Sequence, residues 1–152
     1  MKPSLLLQSS LFVLCCLTGC MSAQEKEGVD GFRAPEKYNF RFIGFDSDID
    51  DPENDRRSYY RVYVDKAEEG RTTIGLESQE KVFEASLPPN RHLITIEKWV
   101  LDLKTGRYLK LNNIDQPKPN FFYFDLPEKR IVIVKKRTDR NGSAEYMVDF
   151  ER

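Results

Sequence analysis

Short segments in which apolar and polar residues alternate restrict the fold of this chain more than any other feature. The clearest is the sequence SYYRVYVD at residues 58–65, in which Tyr60, Val62 and Val64 share one face. A repeat of two residues is typical of a β-strand that is half buried against a core. Similar segments occur at residues 38–45, 72–76, 81–87, 92–103, 107–111, 121–126, 130–136 and 144–150. Together they predict an all-β fold, an antiparallel β-sandwich of about eight or nine short strands.

The turns between these segments are marked by glycine and proline. Lys104-Thr105-Gly106 and Asn141-Gly142 predict hairpin turns. Pro117 and Pro119 predict that residues 112–120 form a loop. Residues 66–70 are expected to form a turn or a single helical turn.

One segment is ambiguous. Residues 77–86 are rich in Glu, Gln, Lys and Ala, which suit a helix. We expect a strand at residues 81–87 because the neighbouring segments all alternate.

The core is expected to be aromatic and branched aliphatic, since the chain has ten Phe and seven Tyr residues. Residues 130–136 (RIVIVKK) are apolar on both faces and predict a central strand. In the last segment, alternation predicts that Ala144, Tyr146, Val148 and Phe150 point inward. The residues expected between the two sheets are Ile94, Ile96, Phe122, Phe124, Ile131, Ile133, Tyr146 and Val148.

The first residues of the chain have the order of a secretory signal peptide. Lys2 supplies a basic start, and residues 5–17 form an apolar run interrupted only by Gln8, Ser9 and Ser10. The run is too short to span a bilayer, which takes ~20 apolar residues. The chain is therefore expected to be exported.

The end of this leader, Leu17-Thr18-Gly19-Cys20, resembles the lipobox of bacterial lipoproteins. The resemblance implies cleavage before Cys20 and a lipid on its thiol, in which each buried methylene contributes ~0.8 kcal/mol to membrane binding. Met21 stands where an aspartate retains enterobacterial lipoproteins in the inner membrane. The resemblance therefore implies the outer membrane, if the organism has one. The alternative is an ordinary cleaved leader with a chance cysteine.

This interpretation divides the chain into a signal peptide at residues 1–19, a flexible tether at residues 20–35 and a β-sandwich domain at residues 36–152. All three cysteines lie at or before position 20, so no disulfide is expected in the domain. The 24 basic and 25 acidic residues nearly balance, which does not favour nucleic acid as a partner.

A weak internal repeat relates two strand ends. The spacing of Phe83, Leu87-Pro88 and Arg91 matches that of Phe122, Leu126-Pro127 and Arg130. In both copies, proline is expected to end a strand. The first copy, LPPNRHLITI, resembles a turn of PEGA and carboxypeptidase-regulatory-like sandwiches, in which Gly usually stands at the place of Asn90. That resemblance implies a non-catalytic accessory module, and convergent turn chemistry explains the match equally well.

An acidic stretch at residues 46–55 includes Asp46, Asp48 and Asp50 and has the alternation of a calcium loop. Asp51 stands at the sixth position, where an EF-hand has Gly, and Arg57 stands at the twelfth, where it has Glu. A solvated acidic loop is therefore favoured, and no metal or other cofactor is expected.

The last hairpin is basic and could contact anionic lipid, pair with the acidic loop, or protect a sheet edge. Its cations are Lys129, Arg130, Lys135, Lys136, Arg137 and Arg140. The single histidine, His92, is expected at the surface or at a strand end. Trp99, Tyr108 and Phe121 could form a platform for sugars, although aromatic residues in a sandwich more often fill the core.

No nucleophile motif or phosphate loop occurs in the chain, so we do not expect an enzyme. The expected function is that of a lipid-anchored envelope protein whose sandwich binds an envelope protein or glycan or has a structural role. The alternatives are a carbohydrate- or ligand-binding lipoprotein that uses an aromatic face and, further off, a small envelope enzyme. Binding is expected at long loops at one end of the sandwich, through Asp46, Asp48, Asp50, Asn112 and Asp115.

Overall fold

Ten strands and one turn of 3-10 helix, Pro52–Asn54, form over residues 37–151, which are the residues that the computed structural model describes. The leader, the tether and Cys20 lie outside this range. The strands are β1 (Phe40–Asp46), β2 (Arg57–Val64), β3 (Ala67–Arg71), β4 (Gly75–Leu76), β5 (Lys81–Ala85), β6 (Arg91–Asp102), β7 (Arg107–Lys110), β8 (Phe121–Asp125), β9 (Ile131–Thr138) and β10 (Ala144–Glu151).

The strands form two sheets, which confirms the sandwich-like all-β fold. The four-stranded sheet has the order β10-β9-β1-β5, and the six-stranded sheet has the order β3-β2-β6-β7 with β4 beside β2 and β8 beside β6. All pairs are antiparallel except β1 with β9. The central position predicted for residues 130–136 is confirmed, because β9 lies between β10 and β1.

The core fills the space between the sheets with alternate residues of each strand. Phe40 stacks on Phe124 with ring centroids 4.8 Å apart, and Phe42 faces Phe122 at 6.3 Å. Both pairs join the four-stranded sheet to the six-stranded one. Burying such rings supplies most of the favourable free energy of folding, at ~25 cal/mol per Å².

The two leucine–proline turns both cross between sheets. The first leads from β5 in the four-stranded sheet to β6 in the six-stranded sheet, and the second leads from β8 back to β9. Leu87 and Leu126 are buried at these crossings. In the second turn, Lys129 has a left-handed backbone with φ of 59°. Asn90, which stands where the similar sandwiches usually have Gly, does not have a positive φ.

Four expectations about strands and faces are wrong. Residues 66–70 do not form a simple turn, because most of them belong to the polar edge strand β3. Only Gly75 and Leu76 of residues 72–76 pair as a strand. On β9, Val132 and Val134 lie between the sheets, whereas Ile131 is half buried and Ile133 is buried on the opposite face. On β10, Val148 shares the inward face of Val134 but is 41% exposed rather than buried.

Candidate functional site

The loops expected to bind meet at one end of the sandwich. Because β1 and β9 are parallel, residues 47–56 leave the sheet at the same end as the turn at residues 139–143. The Lys118 N–H donates to the Gly142 carbonyl at 2.8 Å, so residues 112–120 reach that turn at Lys118. This end, called the loop end below, is opposite to the end at which β1 begins.

A cavity of about 230 Å³ opens at the loop end. Its lining is mostly acidic and comprises Asp46, Ser47, Asp48, Ile49, Asp50, Asp51, Asn54, Glu77, Asp139 and Arg140. Arg140 pairs with Asp50 at 3.0 Å, and Arg137 pairs with Asp48 at 3.8 Å. The last hairpin therefore pairs with the acidic loop. These exposed ion pairs contribute little stability, and they leave the cavity wall with an excess of carboxylates.

The other two predicted loop residues shape their own loop. The Asn112 Oδ1 accepts hydrogen bonds from the Ile114 N–H at 2.8 Å and the Asp115 N–H at 3.0 Å. The Asn112 amide donates to the Asp115 carboxylate at 2.6 Å. Neither residue lines the cavity. Both instead fix the turn that presents Ile114, which is 81% exposed.

Beneath the cavity, the inner face of the four-stranded sheet changes from apolar to charged. The row formed by Tyr146, Lys136, Gly44 and Lys81 runs across all four strands. Gly44 leaves room for the ring of Tyr60 from the other sheet, because a β-carbon there would lie 2.7 Å from the Tyr60 Cε2. The two buried lysines flank that ring, with Nζ atoms 4.1 Å (Lys136) and 5.6 Å (Lys81) from its centroid.

Tyr60 connects the buried cations to a buried carboxylate. Its hydroxyl donates to the Asp46 Oδ1 at 2.9 Å and accepts a hydrogen bond from the Lys136 Nζ at 3.0 Å. The Lys81 Nζ donates to three backbone carbonyls, those of Leu76, Glu77 and Gln79, at 2.7–3.0 Å. Buried charges need such partners, because an unpaired one would be costly.

Lys98 extends the network to the cavity wall. Its ammonium group pairs with both Asp46 and Glu77, and Glu77 also accepts from the Arg56 guanidinium at 3.1 and 3.2 Å. The chain of contacts thus runs from Arg56 through Glu77, Lys98 and Asp46 to Tyr60 and Lys136. It fixes the start of the acidic loop against both sheets.

Burial and neighbouring charges both shift the pKa values in this network. Burial lowers the pKa of Lys136 to about 7 and that of Lys81 to about 8. Burial also raises the pKa of Asp46, but the Lys98 and Lys136 ammonium groups outweigh it and hold that pKa below its ordinary value. Burial and the neighbouring Asp46 raise the pKa of Tyr60 well above 10. The carboxylate is therefore ionised and the phenol neutral at pH 7.

Sequence reasoning missed this network. Lys136 was expected on the basic hairpin surface, and the structure corrects this because Lys136 is fully buried. A signal was present, since alternation puts position 136 on the same face as Val132 and Val134. Lysine in a strand is usually read as a solvent-facing residue, and that preference was wrong for Lys81, Lys98 and Lys136.

His92 is the second residue of β6, which fits the strand-end alternative, and it is buried rather than at the surface. Its Nδ1 lies 2.8 Å from the Asp65 carboxylate and its Nε2 lies 2.8 Å from the Pro88 carbonyl. Burial lowers the pKa of His92, but these two acceptors outweigh it and raise that pKa above 6.5. The residue joins two turns at the end of the sandwich opposite to the cavity.

The proposed sugar platform is not assembled. The guanidinium of Arg61 covers the Trp99 ring at 4.1 Å, while Tyr59 lies beside Trp99 and contacts Tyr108. Phe121 pairs with Thr95, four residues along β6, and its ring contacts Tyr123. Trp99 and Tyr108 thus share a cluster that does not include Phe121.

Within residues 37–151, no group of three or more His, Cys, Asp or Glu side chains is arranged to hold a metal ion. The same residues contain no helix that is long and apolar enough to cross a membrane. No family model matches the chain, and no curated protein or solved structure is found to be similar to it.

Proposed function

We propose that this protein is a lipoprotein of the cell envelope, held by a lipid on Cys20, whose sandwich binds a partner through the loop end. The leader ending in Leu17-Thr18-Gly19-Cys20 supports the anchor. The domain contributes contact rather than turnover, and its partner is an envelope protein that presents basic side chains.

The observation that carries the binding role is the cavity at the loop end. Several carboxylates line it, among them Asp48, Asp50, Asp51 and Asp139, and the buried network beneath fixes its floor at Asp46. A rigid support limits the entropy lost when a partner binds. Because β1 starts at the opposite end, a tether of residues 20–35 leaves the loops free to meet a partner.

A charge-reversal experiment tests the binding role. A photo-crosslinking residue replaces Ile49, an apolar residue in the lining of the cavity, and should give a defined adduct in intact cells. Asp48→Lys with Asp50→Lys should remove that adduct, because two cations would repel a basic partner. Asp125→Lys with Glu128→Lys, at the opposite end, is the matched control and should leave the adduct intact. Equal loss in both variants, or no adduct, would count against the proposal.

A second experiment tests the anchor separately. Fatty-acid labelling in cells should mark the protein, and Cys20→Ala should abolish the label. A label that survives the substitution would remove the anchor from the proposal without touching the binding role.

Carbohydrate binding through an aromatic face has less support. Arg61 covers the ring face of Trp99 on which a sugar would stack. Hydrolysis of an envelope glycan by the purified protein would overturn the non-catalytic role.

A further inference from the structure

The outer edges of the four-stranded sheet, β5 and β10, differ in whether their backbone groups have hydrogen-bond partners. On one side, the free edge of β5 is hydrogen-bonded, since the Thr73 N–H donates to the Val82 carbonyl at 2.9 Å and the Val82 N–H donates to the Thr73 hydroxyl at 3.0 Å. Phe83 also packs closely over Gly70 of β3. The edge of β5 is therefore closed to a further strand at Val82.

The other side ends in β10, and among residues 37–151 the one strand that pairs with it is β9. The Ala144 N–H donates to the Lys118 carbonyl at 2.7 Å, and the Tyr146 hydroxyl donates to the Pro119 carbonyl at 2.7 Å. Beyond these contacts, β10 continues to Glu151, and no other strand of the described residues pairs with its outer edge. An eight-residue edge without proline or bulge is the kind that natural proteins usually protect.

Three apolar side chains of this edge are exposed. Met147, Val148 and Phe150 are 46%, 41% and 53% exposed. Val148 and Phe150 belong to the same inner rows as the fully buried Val134 and Val132. The apolar layer of the core thus extends to β10 at the edge of the sheet.

We propose that β10 pairs antiparallel with β10 of a second copy of this chain, with Val148 on the twofold axis. In that register Val148 faces its own counterpart, and Tyr146 faces Phe150 of the other copy. The twofold axis generates two Tyr146–Phe150 pairs, one on each side of the valine pair. All three pairs lie on the inner face, so the pairing extends the apolar layer across two molecules. The contact is self-complementary, as a twofold interface requires, and it joins the two four-stranded sheets into one sheet of eight strands.

Residues on the outer face of β10 allow a test that is specific to this register. Glu145 would face Glu151 of the other copy, which is unfavourable, although Arg137 lies beside Glu145 on β9. Replacing Glu151 with lysine would turn this repulsion into an ion pair. Glu151→Lys should therefore tighten the dimer, whereas Val148→Lys should abolish it by opposing two ammonium groups at the axis.

The test uses residues 20–152 with Cys20→Ser, which contain no other cysteine. Analytical ultracentrifugation over a concentration series should show a reversible dimer that Val148→Lys removes and Glu151→Lys strengthens. Leu103→Lys, at an exposed position of the loop end, is the matched control and should dimerise like the parent.

Single cysteines test the register. Directly opposed residues in an antiparallel pair have Cα atoms ~4.5–5.5 Å apart, which suits a disulfide. Val148→Cys should crosslink under mild oxidation, whereas Glu145→Cys should not, because two copies of position 145 would lie ~20 Å apart at ~3.3 Å per residue. A chain that stays monomeric throughout, or equal crosslinking from both positions, would overturn the proposal.

Discussion

The ring of Tyr60 lies directly against Gly44, so closely that a β-carbon on residue 44 would be 2.7 Å from the Tyr60 Cε2. This contact joins the two sheets at the point where the apolar core gives way to the charged network.

Gly44→Ala should therefore destabilise the fold by about 1–3 kcal/mol, because the Tyr60 ring must shift and its hydroxyl loses alignment with Asp46 and Lys136. Urea unfolding measures the change. Gly75→Ala is the matched control, since its nearest neighbour, 3.1 Å away, is the flexible side chain of Gln79. An equal loss in the two variants would contradict the role assigned to the Gly44–Tyr60 contact.

Lys136→Met should flatten the dependence of stability on pH. The pKa of Lys136 is about 7 in the folded protein and 10.5 for an ordinary lysine, so the unfolded chain holds more protons between these values. Stability of the parent should rise with pH across that window, and Lys81 adds a change of the same sign. Below pH 7, Lys136→Met should be at least as stable as the parent. Lys135→Met, on the opposite face of β9, serves as the control and should keep the parent's slope.

His92 should titrate above 6.5, and nuclear magnetic resonance can follow it directly because it is the only histidine. A raised folded pKa means that its stabilising contribution is complete below pH 6.5 and is lost as the pH rises through the folded value. Asp65→Asn should lower the pKa of His92, because it removes the carboxylate 2.8 Å from the Nδ1. If the pKa of His92 were unchanged by Asp65→Asn, the ion pair would be excluded.

Phe124→Ala should cost ~3–5 kcal/mol of stability, because it empties a buried site and removes the stack on Phe40. Thermal or urea unfolding provides the measurement. Tyr123→Ala, the exposed neighbour on the same strand, should cost much less. Similar losses at both positions would show that the inward face of β8 had been assigned wrongly.

Local alternation was enough to predict the strands that lie over the core. It identified the inward faces of β2 and β8. Glycine identified the two hairpin turns, where Gly106 and Gly142 have φ of 66° and 79°. Alternation failed at β3 because that strand is polar and exposed and pairs through its backbone alone.

Loop length was enough to single out the long loops, but it did not predict the buried charged network beneath the cavity. Lys81 and Lys136 lie near each other because both pair with Gly44 of β1, one on each side of it. Periodicity along one strand carries no information about such a row. For the same reason, alternation assigned Val148 and Phe150 to the correct face without indicating that both side chains are exposed.

The parallel pairing of β1 with β9 has a consequence for the order of folding. Residues 40–46 are among the first of the domain to be synthesised, yet one of their two neighbours is formed by residues 132–138. Contacts so distant in sequence slow folding, because a large loop must close before they form. The four-stranded sheet cannot be completed until residue 151 has been made, and this order agrees with the export that we propose, since an exported chain crosses the membrane before it folds.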